Sequence, residues 1–530
     1  MTAPAHGGGP TQPRENPDAA DSALDPTGAL RATASDCVHC GFCLPVCPTY
    51  QLWGEEMDSP RGRIHLITQI LDGNPASGPA ASHLDRCLGC MACVPACPSG
   101  VRYDRLIEAA RTWSEQPPPG PGPAPVPPRS LRARLARSAI FATFPYPRRL
   151  RLLTGPLRLT QRTGATRLIE RSQLANRLAP ELVASLRVAP ATPRDAETAS
   201  DRAVVHARPG RIAAQGSRRA VVGMLTGCVQ SVFFPGVNDA TARVLAAEGC
   251  EVVIPAGQGC CGALSLHTGR ASEAVRFARR TIATFEAAGV DVIVVNSAGC
   301  GSAMKEYGQL FAAGHGADGD GWADRAQRLG SKVRDLSEFL ASLDGGAVGT
   351  VGTGPGADGN GTGQDGAAQD GAAQDGTTAW PRATRHPLPV RAVYHEACHL
   401  GYAQGIRQQP RDLLRAIPGL DLVEVGDGGT CCGSAGVYNL VQPAAAGELG
   451  ARKAAAVLAT GAPLVISANP GCSLQIRAAM ADTGAEPPAL VHIAEVLDAS
   501  LRGLPVTSLT GRPPGERPSG GQPDSQPASS

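Results

Sequence analysis

The 530-residue sequence lacks the features that mark several large classes of protein. It has no uninterrupted apolar run of the roughly eighteen residues that a membrane-spanning helix needs, so no transmembrane segment is expected. Its formal net charge is only +2, which excludes a global electrostatic field for nucleic acid or membranes. Residues 1–28 contain no basic stretch followed by an apolar one, so no secretory leader is expected. The sequence therefore predicts a soluble, cytoplasmic protein that does not bind nucleic acid.

A disulfide scaffold is also not expected. Seventeen cysteines in so long a chain are too sparse for a small secreted fold, and an odd number cannot all pair. A chain of this length forms about two to four domains with cores of their own, so its size does not require covalent cross-links. In a reducing compartment, clustered thiols hold metal more often than they form disulfides. The cysteines are therefore candidate metal ligands.

Segments rich in Gly, Pro, Ser and Gln divide the chain, and their composition predicts disorder or linkers. They comprise residues 1–25, 116–128, 345–387 and 510–530. Between them the sequence predicts a cysteine-dense unit, an Arg-rich helical connector and two further blocks, at residues 30–115, 129–215, 219–344 and 388–505. The connector is interpreted either as a solvated element that covers the two blocks or as helices that dock on a membrane surface or a partner.

The last two blocks repeat each other. In each, a strand-like segment leads to one cysteine, a Cys-Cys-Gly turn follows after 31 or 32 residues, and a fourth cysteine follows another strand-like segment. Matching order, spacing and flanking residues make chance a poor explanation. The cysteines of the first block, here called site 1, are Cys228, Cys260, Cys261 and Cys300. Those of the second block, called site 2, are Cys398, Cys431, Cys432 and Cys472.

Both blocks alternate short β-branched runs with Ala-rich helical segments. AVVGML, EVVIP and VDVIVVNS are typical of strands, whereas NDATARVLAAEG and ASEAVRFARRTIATFEAAG have helical periodicity and end in Gly. This alternation predicts parallel α/β units. The cysteines fall at strand ends or in Gly-rich turns, where such sheets place ligands. Their placement favours a binding site over core packing.

The cysteine-dense unit contains two copies of a second motif. Residues 37–50 read CVHCGFCLPVCPTY and residues 87–100 read CLGCMACVPACPSG. Three cysteines spaced by three residues can direct their sulfurs to one face of a cubane cluster, and in two-cluster ferredoxins the fourth cysteine ligates the other cluster. The pattern predicts two linked 4Fe-4S clusters and hence electron relay. The expected ligands are Cys37, Cys40, Cys43 and Cys97 for cluster 1, and Cys87, Cys90, Cys93 and Cys47 for cluster 2.

The cysteines also allow interpretations other than iron-sulfur clusters, and these are stronger at sites 1 and 2 than at the N-terminal motifs. Structural zinc is the alternative at the N-terminal motifs, but two copies of three evenly spaced cysteines plus Cys-Pro favour cubanes. At sites 1 and 2 the residues leave open a metal or redox site, a metal-free redox pair, or buried thiols that only pack. Gly262 and Gly433 are expected to give the turns a permissive backbone. Cys250 lies outside the repeat and is interpreted as packing.

Two histidines flank Cys398 in the second block. His395 and His399 could tune or supplement a site there. We interpret each of them as a turn residue that forms hydrogen bonds.

With both motif sets placed, the chain resembles the iron-sulfur subunit of bacterial glycolate oxidase. The resemblance covers residues 30–115 and 219–505 and lies in CVHCGFCLPVCPTYQLWGEEMDSPRGRIHLI, HLDRCLGCMACVPACPSGVRY, GCVQ, GCCGAL, SAGCGSAMKEYG, CCGSAGVYNL and SANPGC. It implies an α+β and α/β fold class: an α-helical ferredoxin-like domain with two 4Fe-4S clusters, then two repeated α/β cysteine-rich (CCG) domains.

The same resemblance implies a complex at the inner face of the cell membrane. Its FAD-containing partner subunits oxidise glycolate to glyoxylate, and this subunit passes the electrons to a quinone or another respiratory acceptor. Consistently, the sequence has no GxGxxG opening a βαβ unit, no recognisable flavin site and no base constellation for a 2-hydroxy acid. No catalytic residue is predicted in this chain.

The sequence departs from the wider family at one point. In heterodisulfide-reductase relatives each CCG motif ends in a CxxC pair, which gives five thiolates to a noncubane cluster. Ser297 and Asn469 stand at the first position of that pair, so each site keeps four cysteines. Alternative functions are the equivalent subunit of a lactate or glycerol-3-phosphate dehydrogenase and, from another class, a zinc-stabilised binding scaffold.

Overall fold

The computed structural model describes residues 26–74, 78–115, 130–189, 207–312, 321–343, 382–484 and 486–511. These ranges form a helical N-terminal unit (26–115), a helical connector (130–189) and two α/β units (207–343 and 382–511). The segments predicted as disordered lie outside the described residues, with two exceptions. Residues 382–387 and 510–511 are described, so the second α/β unit extends beyond the predicted bounds at both ends.

Prolines and polar caps set the helices of the N-terminal unit. Pro48 follows Cys47 directly and occupies the first turn of a helix, where its missing N–H costs nothing. Pro48 therefore ends the cysteine loop and begins this helix. Ser59 caps another helix by accepting a hydrogen bond from Gly62 N at 3.0 Å. The helices are α1 Pro26–Ser35, α2 Pro48–Trp53, α3 Pro60–Leu71, α4 Gly78–Arg86 and α5 Tyr103–Glu115.

A buried arginine ties the N-terminal unit together. Arg63 is fully buried and donates to His83 O at 2.7 Å, to Thr49 Oγ1 at 3.1 Å and to Asp58 Oδ1 at 3.2 Å. Asp58 is equally buried and also accepts from Arg86 at 2.9 Å. Buried charges are tolerated only when they are paired in this way. The network fixes the helices that flank the two cysteine motifs.

The connector consists of five helices on the surface of the α/β units. One helix ends at Thr143 and the next begins at Pro147, because Pro145 and Pro147 interrupt helical hydrogen bonding. Phe141 packs against Val437 and Leu440 of the second α/β unit. Among the helices described, none has the length and apolar character that crossing a membrane requires. The helices are α6 Leu131–Thr143, α7 Pro147–Thr163, α8 Ala165–Arg171, α9 Gln173–Leu178 and α10 Pro180–Val188.

The first α/β unit contains a five-stranded sheet of order β1-β3-β2-β4-β5. The β1 edge strand is antiparallel to β3 and the other pairs are parallel. Its strands are β1 Gly210–Ile212, β2 Ala220–Met224, β3 Cys250–Ile254, β4 Val292–Val295 and β5 Val333–Asp335. Its helices are α11 Gln230–Phe233, α12 Pro235–Ala247, α13 Ala263–Leu266, α14 Ala271–Ala288, α15 Ala298–Lys305, α16 Tyr307–Leu310, α17 Trp322–Lys332 and α18 Leu336–Ser342.

Most local predictions for this unit are confirmed. The segments predicted as strands form β2, β3 and β4, and the two Ala-rich segments form α12 and α14. Gly289 ends α14 in the left-handed conformation, with φ of 60°. One boundary is wrong: β1 lies in the segment 129–215 that was assigned to the connector. Its three residues gain their strand structure by pairing with β3 rather than from their own pattern.

The second α/β unit has a fully parallel sheet of order β7-β6-β8-β9. This is the order β3-β2-β4-β5 of the first unit, so the sequence repeat is also a structural repeat. The strands are β6 Val390–His395, β7 Leu420–Glu424, β8 Leu464–Ser467 and β9 Ala489–His492. The helices are α19 Gln408–Arg415, α20 Tyr438–Val441, α21 Pro443–Leu458, α22 Pro470–Ala481, α23 Ile493–Leu501 and α24 Thr507–Thr510.

The two α/β units share one hydrophobic core. Buried residues of both units belong to the same cluster, and α12 packs against α23 across the boundary. In this contact Arg243 donates to both carboxylate oxygens of Asp498, at 2.8 and 2.7 Å. Arg385 pairs with the buried Glu248 at 2.6 Å. The repeats are therefore held rigidly together, which fixes the relative positions of sites 1 and 2.

Candidate iron-sulfur and metal sites

The two N-terminal cysteine loops, residues 37–47 and 87–97, have the same backbone course. His39 and Gly41 in the first loop have φ of 54° and 86°, and Gly89 and Met91 at the matching positions have φ of 64° and 62°. Non-glycine residues rarely adopt this left-handed region, so His39 and Met91 are held there by the loop. In the second loop Gly89 N donates to the Cys87 sulfur at 3.3 Å. The shared course lets both loops direct sulfurs and backbone N–H groups inward.

The structure brings Cys97 to the first loop. Cys37, Cys40, Cys43 and Cys97 line one cavity, although the last of these follows the second motif. Cys40 is exposed at its mouth. Arg61 lies beside this cavity, where it donates to His39 O at 3.1 Å and pairs with Glu56 at 2.6 Å. The four thiols that the sequence assigned to cluster 1 are thus neighbours in the fold.

Cys47 lies with the second loop, in the reciprocal arrangement. It is buried, as are Cys87, Cys90 and Cys93, and electrostatic interactions connect these four thiols. Burial raises the pKa values of Cys90 and Cys93 well above the ordinary range, and neighbouring thiols raise them further. Metal binding would therefore require these thiols to release protons.

Positive charge is concentrated beside Cys87. Burial raises the pKa of this thiol, but the charges of Arg63 and Arg111 outweigh it and hold the pKa below the ordinary value. The Tyr103 hydroxyl also donates to the Cys87 sulfur at 3.5 Å. Arg111 reaches the Cys87 carbonyl and, at 2.8 Å, the carbonyl of His267 in the first α/β unit. The sequence did not identify Arg111, because its partners are far from it along the chain.

Site 1 forms at the carboxyl ends of parallel strands in the first α/β unit. Cys228 follows β2, the turn with Cys260 and Cys261 follows β3, and Cys300 lies in the first turn of α15 after β4. Contact with Cys260 and Cys300 lowers the pKa of Cys261 well below its ordinary range, so one thiolate is shared among neighbours. Gly262 has φ of 90° and its N–H donates to the Cys260 sulfur at 3.3 Å, as the sequence predicted for a permissive backbone.

Site 2 occupies the equivalent position in the second unit. Cys398, Cys431, Cys432 and Cys472 form a continuous series of thiol contacts. Gly433 has φ of 85°, and a Cβ there would lie 2.8 Å from the Ala446 carbonyl oxygen, so glycine is required. The Asn469 side chain donates to the Cys472 sulfur at 3.4 Å.

The interpretation of His395 as a hydrogen-bonding turn residue is wrong. This histidine is the last residue of β6, and neither ring nitrogen has a hydrogen-bond partner among the described residues. Burial and the nearby charge of Lys453 lower the pKa of His395 well below its usual range, so the imidazole is neutral. One of its nitrogens and the sulfurs of Cys432 and Cys472 lie within 4.8 Å of one another.

His399 takes part in a contact that joins the N-terminal unit to both α/β units. Its ring lies 5.0 Å from that of His267, centroid to centroid, and His267 Nδ1 lies 2.9 Å from the Glu108 carboxylate on α5. Burial opposes protonation of His267, but Glu108 raises its pKa above the usual value. Residues His267 and Glu108 carry no motif, so the sequence gave no signal of their meeting.

An apolar cavity of about 160 Å³ lies between parts of the two α/β units. All four cysteines of site 1 line it, together with His267, His399 and Leu88 of the second loop. None of the four cysteines of site 2 does. Instead, Cys431 packs in a cluster with Leu88 and Cys90, beside the second loop. The cysteine sites thus form a connected series from the N-terminal unit into both repeats.

The donor set fits iron-sulfur chemistry. All seventeen cysteines are free thiols, and sixteen of them lie in the four groups described above. The remaining one, Cys250, is fully buried at the start of β3, and burial raises its pKa to about 12, as expected for an inert packing residue. Thiolates in groups of four, with N–H donors directed at sulfur, are the ligands that 4Fe-4S clusters require.

Comparison with known protein families assigns the three parts of the chain separately. The family described as “4Fe-4S dicluster domain” matches residues 33–101. The family described as “Cysteine-rich domain” matches twice, at residues 222–305 and 392–477. The connector, at residues 132–188, matches the family described as “Glycolate oxidase iron-sulfur subunit, linker region”. The predicted N-terminal dicluster domain followed by two CCG domains is therefore confirmed.

Relatives align over most of the chain. A protein named “Probable glycolate oxidase iron-sulfur subunit” from Bacillus subtilis (strain 168) is 33% identical over 467 residues, covering 87% of this chain and 93% of the relative. “Glycolate oxidase iron-sulfur subunit” from Escherichia coli (strain K12) is 32% identical, covering 86% and 92%. “Lactate utilization protein A” from Shouchella clausii (strain KSM-K16) is 29% identical but covers 52% of this chain. With its two cysteine loops, its matching connector and its paired cysteine-rich domains, the chain belongs to the family of glycolate oxidase iron-sulfur subunits.

Proposed function

We propose that this chain is the electron-transfer subunit of a glycolate-oxidising complex and carries no catalytic residue itself. Partner subunits that contain FAD would oxidise glycolate to glyoxylate and reduce this chain. Cluster 1 would be held by Cys37, Cys40, Cys43 and Cys97, and cluster 2 by Cys87, Cys90, Cys93 and Cys47. Bound 4Fe-4S clusters supply one-electron transfer. The observation that carries the proposal is the connected series of cysteine sites from the exposed Cys40 to the interdomain cavity.

The exposed edge of the first loop supports electron entry from a protein partner. Val38 and Phe42 flank Cys40, and their side chains are 68% and 65% exposed. Isolated apolar residues on a surface are common, but this pair surrounds the one exposed cysteine of the loops. A flavin-bearing subunit that covers Phe42 would bring its cofactor close to cluster 1 and exclude water from the contact.

The interdomain cavity supports electron exit to a quinone. Its volume of about 160 Å³ suits a single aromatic ring, since an engineered cavity of about 150 Å³ binds benzene. Leu225, Leu264 and Leu440 give it an apolar lining, and the buried Nε2 atom of His267 has no hydrogen-bond partner among the described residues. A quinone ring there could accept a hydrogen bond from His267 while lying against site 1.

The connector supports a location at the inner face of the cell membrane. Leu152 and Leu159 are two helical turns apart on α7 and are 77% and 64% exposed, whereas Leu150 faces the protein and is buried. Exposed arginines flank this apolar stripe: Arg148, Arg149, Arg151 and Arg162. Exposed leucines flanked by arginines are typical of a helix that lies on an anionic lipid surface.

A lactate-oxidising complex is the second candidate, because relatives named “Lactate utilization protein A” match half of this chain. Those relatives align with 52% of this chain, whereas the relatives named for glycolate oxidase align with 86 to 87% of it. Coexpression with candidate flavoproteins, followed by reduction with glycolate or lactate, separates the two. Reduction by lactate alone would overturn the glycolate assignment.

Metal and spectral analysis of anaerobically purified protein tests the electron-transfer role. About eight irons and eight sulfides per chain, bleached by dithionite, are expected from two 4Fe-4S clusters. A colourless protein that contains only zinc would instead support a binding scaffold. Cys43→Ser is expected to lose one cluster and to uncouple acceptor reduction while substrate still reduces the flavin. Loss of flavin reduction as well would point to misassembly of the complex.

A further inference from the structure

Sites 1 and 2 have equivalent positions in the repeat but different surroundings. All four cysteines of site 1 line the interdomain cavity, whereas those of site 2 do not. Cys432 and Cys472 of site 2 are instead buried in the hydrophobic core that the two α/β units share. Catalytic metal sites keep one coordination position open to solvent or substrate. In structural sites, protein side chains occupy all the coordination positions. The repeats therefore offer one open site and one closed site.

His395 is the main chemical difference between the two sites. It stands three residues before Cys398, where the first repeat has Leu225 three residues before Cys228. The apolar side chain of Leu225 needs no hydrogen-bond partner. A buried imidazole without a hydrogen bond, by contrast, destabilises the fold, because the lost hydrogen bonds to water are not replaced. His395 is only 1% exposed and both of its ring nitrogens are unpartnered among the described residues. A buried imidazole with two unpartnered nitrogens is suited to bind a metal ion.

The donors around His395 converge on one point. A ring nitrogen of His395 and the sulfurs of Cys432 and Cys472 all lie within 4.8 Å of one another. In a tetrahedral zinc site, with Zn–S of about 2.3 Å and Zn–N of about 2.0 Å, ligand atoms lie roughly 3.5 to 3.8 Å apart. A small inward movement of these side chains would therefore close a site around a single ion.

The number of converging donors argues against a cubane at this point. A 4Fe-4S cluster takes four cysteines for four irons, so each iron receives one protein ligand, and even a Rieske iron receives two. The three donors that converge near His395 are more than the one protein ligand of a cubane iron or the two of a Rieske iron. Cys398 is in electrostatic contact with Cys432 and can complete four ligands, leaving Cys431 to face Cys90. This choice avoids placing both adjacent cysteines of the turn on one tetrahedral ion.

We propose that His395, Cys432 and Cys472, completed by Cys398, bind one divalent metal ion of the zinc class as a structural site. The ion ties together the end of β6, the turn after β7 and the start of α22. The Asn469 amide, which donates to the Cys472 sulfur at 3.4 Å, is its outer-shell partner. Site 1, with four cysteines open to the cavity, remains the redox-competent site of the pair. This inference does not depend on the identity of the electron donor or acceptor.

Elemental analysis and zinc-edge X-ray absorption of the full chain, purified anaerobically, test the proposal. The wild type is expected to retain about one zinc per chain against a mild chelator, with about one nitrogen neighbour near 2.0 Å and three sulfurs near 2.3 Å. His395→Leu, which copies the first repeat, is expected to lose most of this zinc. Both proteins should keep the roughly eight irons of the N-terminal clusters, which shows that the variant has folded.

His386→Gln is the control, because it changes an exposed histidine of the same α/β unit that lies outside the converging set. It is expected to keep the zinc and its nitrogen neighbour. Equal zinc in the wild type and His395→Leu would overturn the proposal, as would an all-sulfur zinc environment. Iron in place of zinc at site 2, seen as an excess over eight irons that His395→Leu abolishes, would also overturn it. Failure of electron transfer with zinc still bound to His395 would count against the proposed function alone.

Discussion

Ser297 Oγ lies 3.3 Å from Asn469 Oδ1, across the boundary between the two repeats. These are the two positions at which the chain departs from the five-thiolate pattern of its wider family. Beside them, Ala298 N donates to Ala468 O at 3.3 Å, so the two segments join through main chain and side chain together. The residues that replace the fifth thiolate thus connect the two units, and Asn469 also reaches the Cys472 sulfur.

A double-mutant cycle should detect this contact. Ser297→Ala and Asn469→Ala are each expected to lower the free energy of unfolding by about 1 kcal/mol, because each leaves a buried or partly buried partner without its hydrogen bond. The double variant should lose less than the sum, with a coupling energy of roughly 0.5 to 1.5 kcal/mol. Denaturant unfolding followed by circular dichroism measures all four proteins. Strict additivity would mean that the hydrogen bond contributes nothing to stability.

The parts of the fold that follow from local patterns could be predicted from the sequence. Cysteine spacing indicated which thiols would group, and periodicity indicated β2, α12 and α14. The short edge strand β1 was missed because three residues carry too little pattern, and its pairing with β3 decides its structure. Local sequence identifies a helix or strand only where its own residues determine its conformation. A strand that depends on pairing with another strand cannot be identified in this way.

The role of His395 illustrates a second limit. A histidine near a cysteine is compatible with a hydrogen-bonded turn or with a metal ligand, and only the completed fold shows that no hydrogen-bond partner reaches its ring among the described residues. Contacts such as Arg111 to His267 join residues more than 150 positions apart, so no spacing rule applies to them. The cysteines were found because their chemistry repeats, whereas Arg111 was missed because it belongs to no repeated motif.

The buried pair between α12 and α23 should contribute strongly to the joining of the repeats. Arg243→Met leaves the Asp498 carboxylate buried with only Arg502, at 3.5 Å, so a loss of about 3 kcal/mol in unfolding free energy is expected. Arg243→Met combined with Asp498→Leu should be milder than Arg243→Met alone, since no uncompensated charge remains. Unfolding by urea distinguishes them. A double variant as unstable as the sum of the singles would contradict this account.

Glu306 should make stability depend on pH. Burial, with Glu108 and Asp104 adding to it and His267 and Arg102 opposing it, raises the pKa of Glu306 to about 7. The folded state therefore keeps a proton that the unfolded state releases near pH 4.5, and stability falls as pH rises from about 4.5 to about 7. Glu306→Gln removes this titration, so its advantage over the wild type should grow through that window, to at most about 3 kcal/mol.

Melting temperatures of the wild type and Glu306→Gln across that pH range measure the effect. Glu448→Gln is the control, because Glu448 pairs with Arg452 on the surface of α21 and such pairs contribute about 0 to 1 kcal/mol. It should shift the melting temperature little at any pH. A Glu306→Gln advantage that is the same at pH 4.5 and above pH 7 would show that Glu306 does not titrate in this window.

Phe42 should be important for binding the flavin-bearing subunit. Phe42→Ser removes an apolar side chain that is 65% exposed in the free chain and would be buried in the complex. Loss of such a contact is expected to weaken binding at least about tenfold, while the absorbance of the clusters stays unchanged. Biolayer interferometry with the coexpressed flavoprotein provides the measurement. Unchanged affinity would place the partner on another surface.

Leu152 and Leu159 should anchor the connector on anionic lipid. Replacing both by serine is expected to reduce sedimentation with vesicles of phosphatidylcholine and phosphatidylglycerol by about tenfold or more, because full burial of a leucine is worth about 1.5 to 3 kcal/mol. Binding of the wild type should weaken as salt is added, since the flanking arginines act through screened charge. Phe42→Ser should bind vesicles normally, and the leucine double variant should bind the flavoprotein normally. Equal binding of the wild type to vesicles of phosphatidylcholine alone would show that the arginines do not act on anionic lipid. No loss in the double variant would show that these leucines do not anchor the connector on lipid.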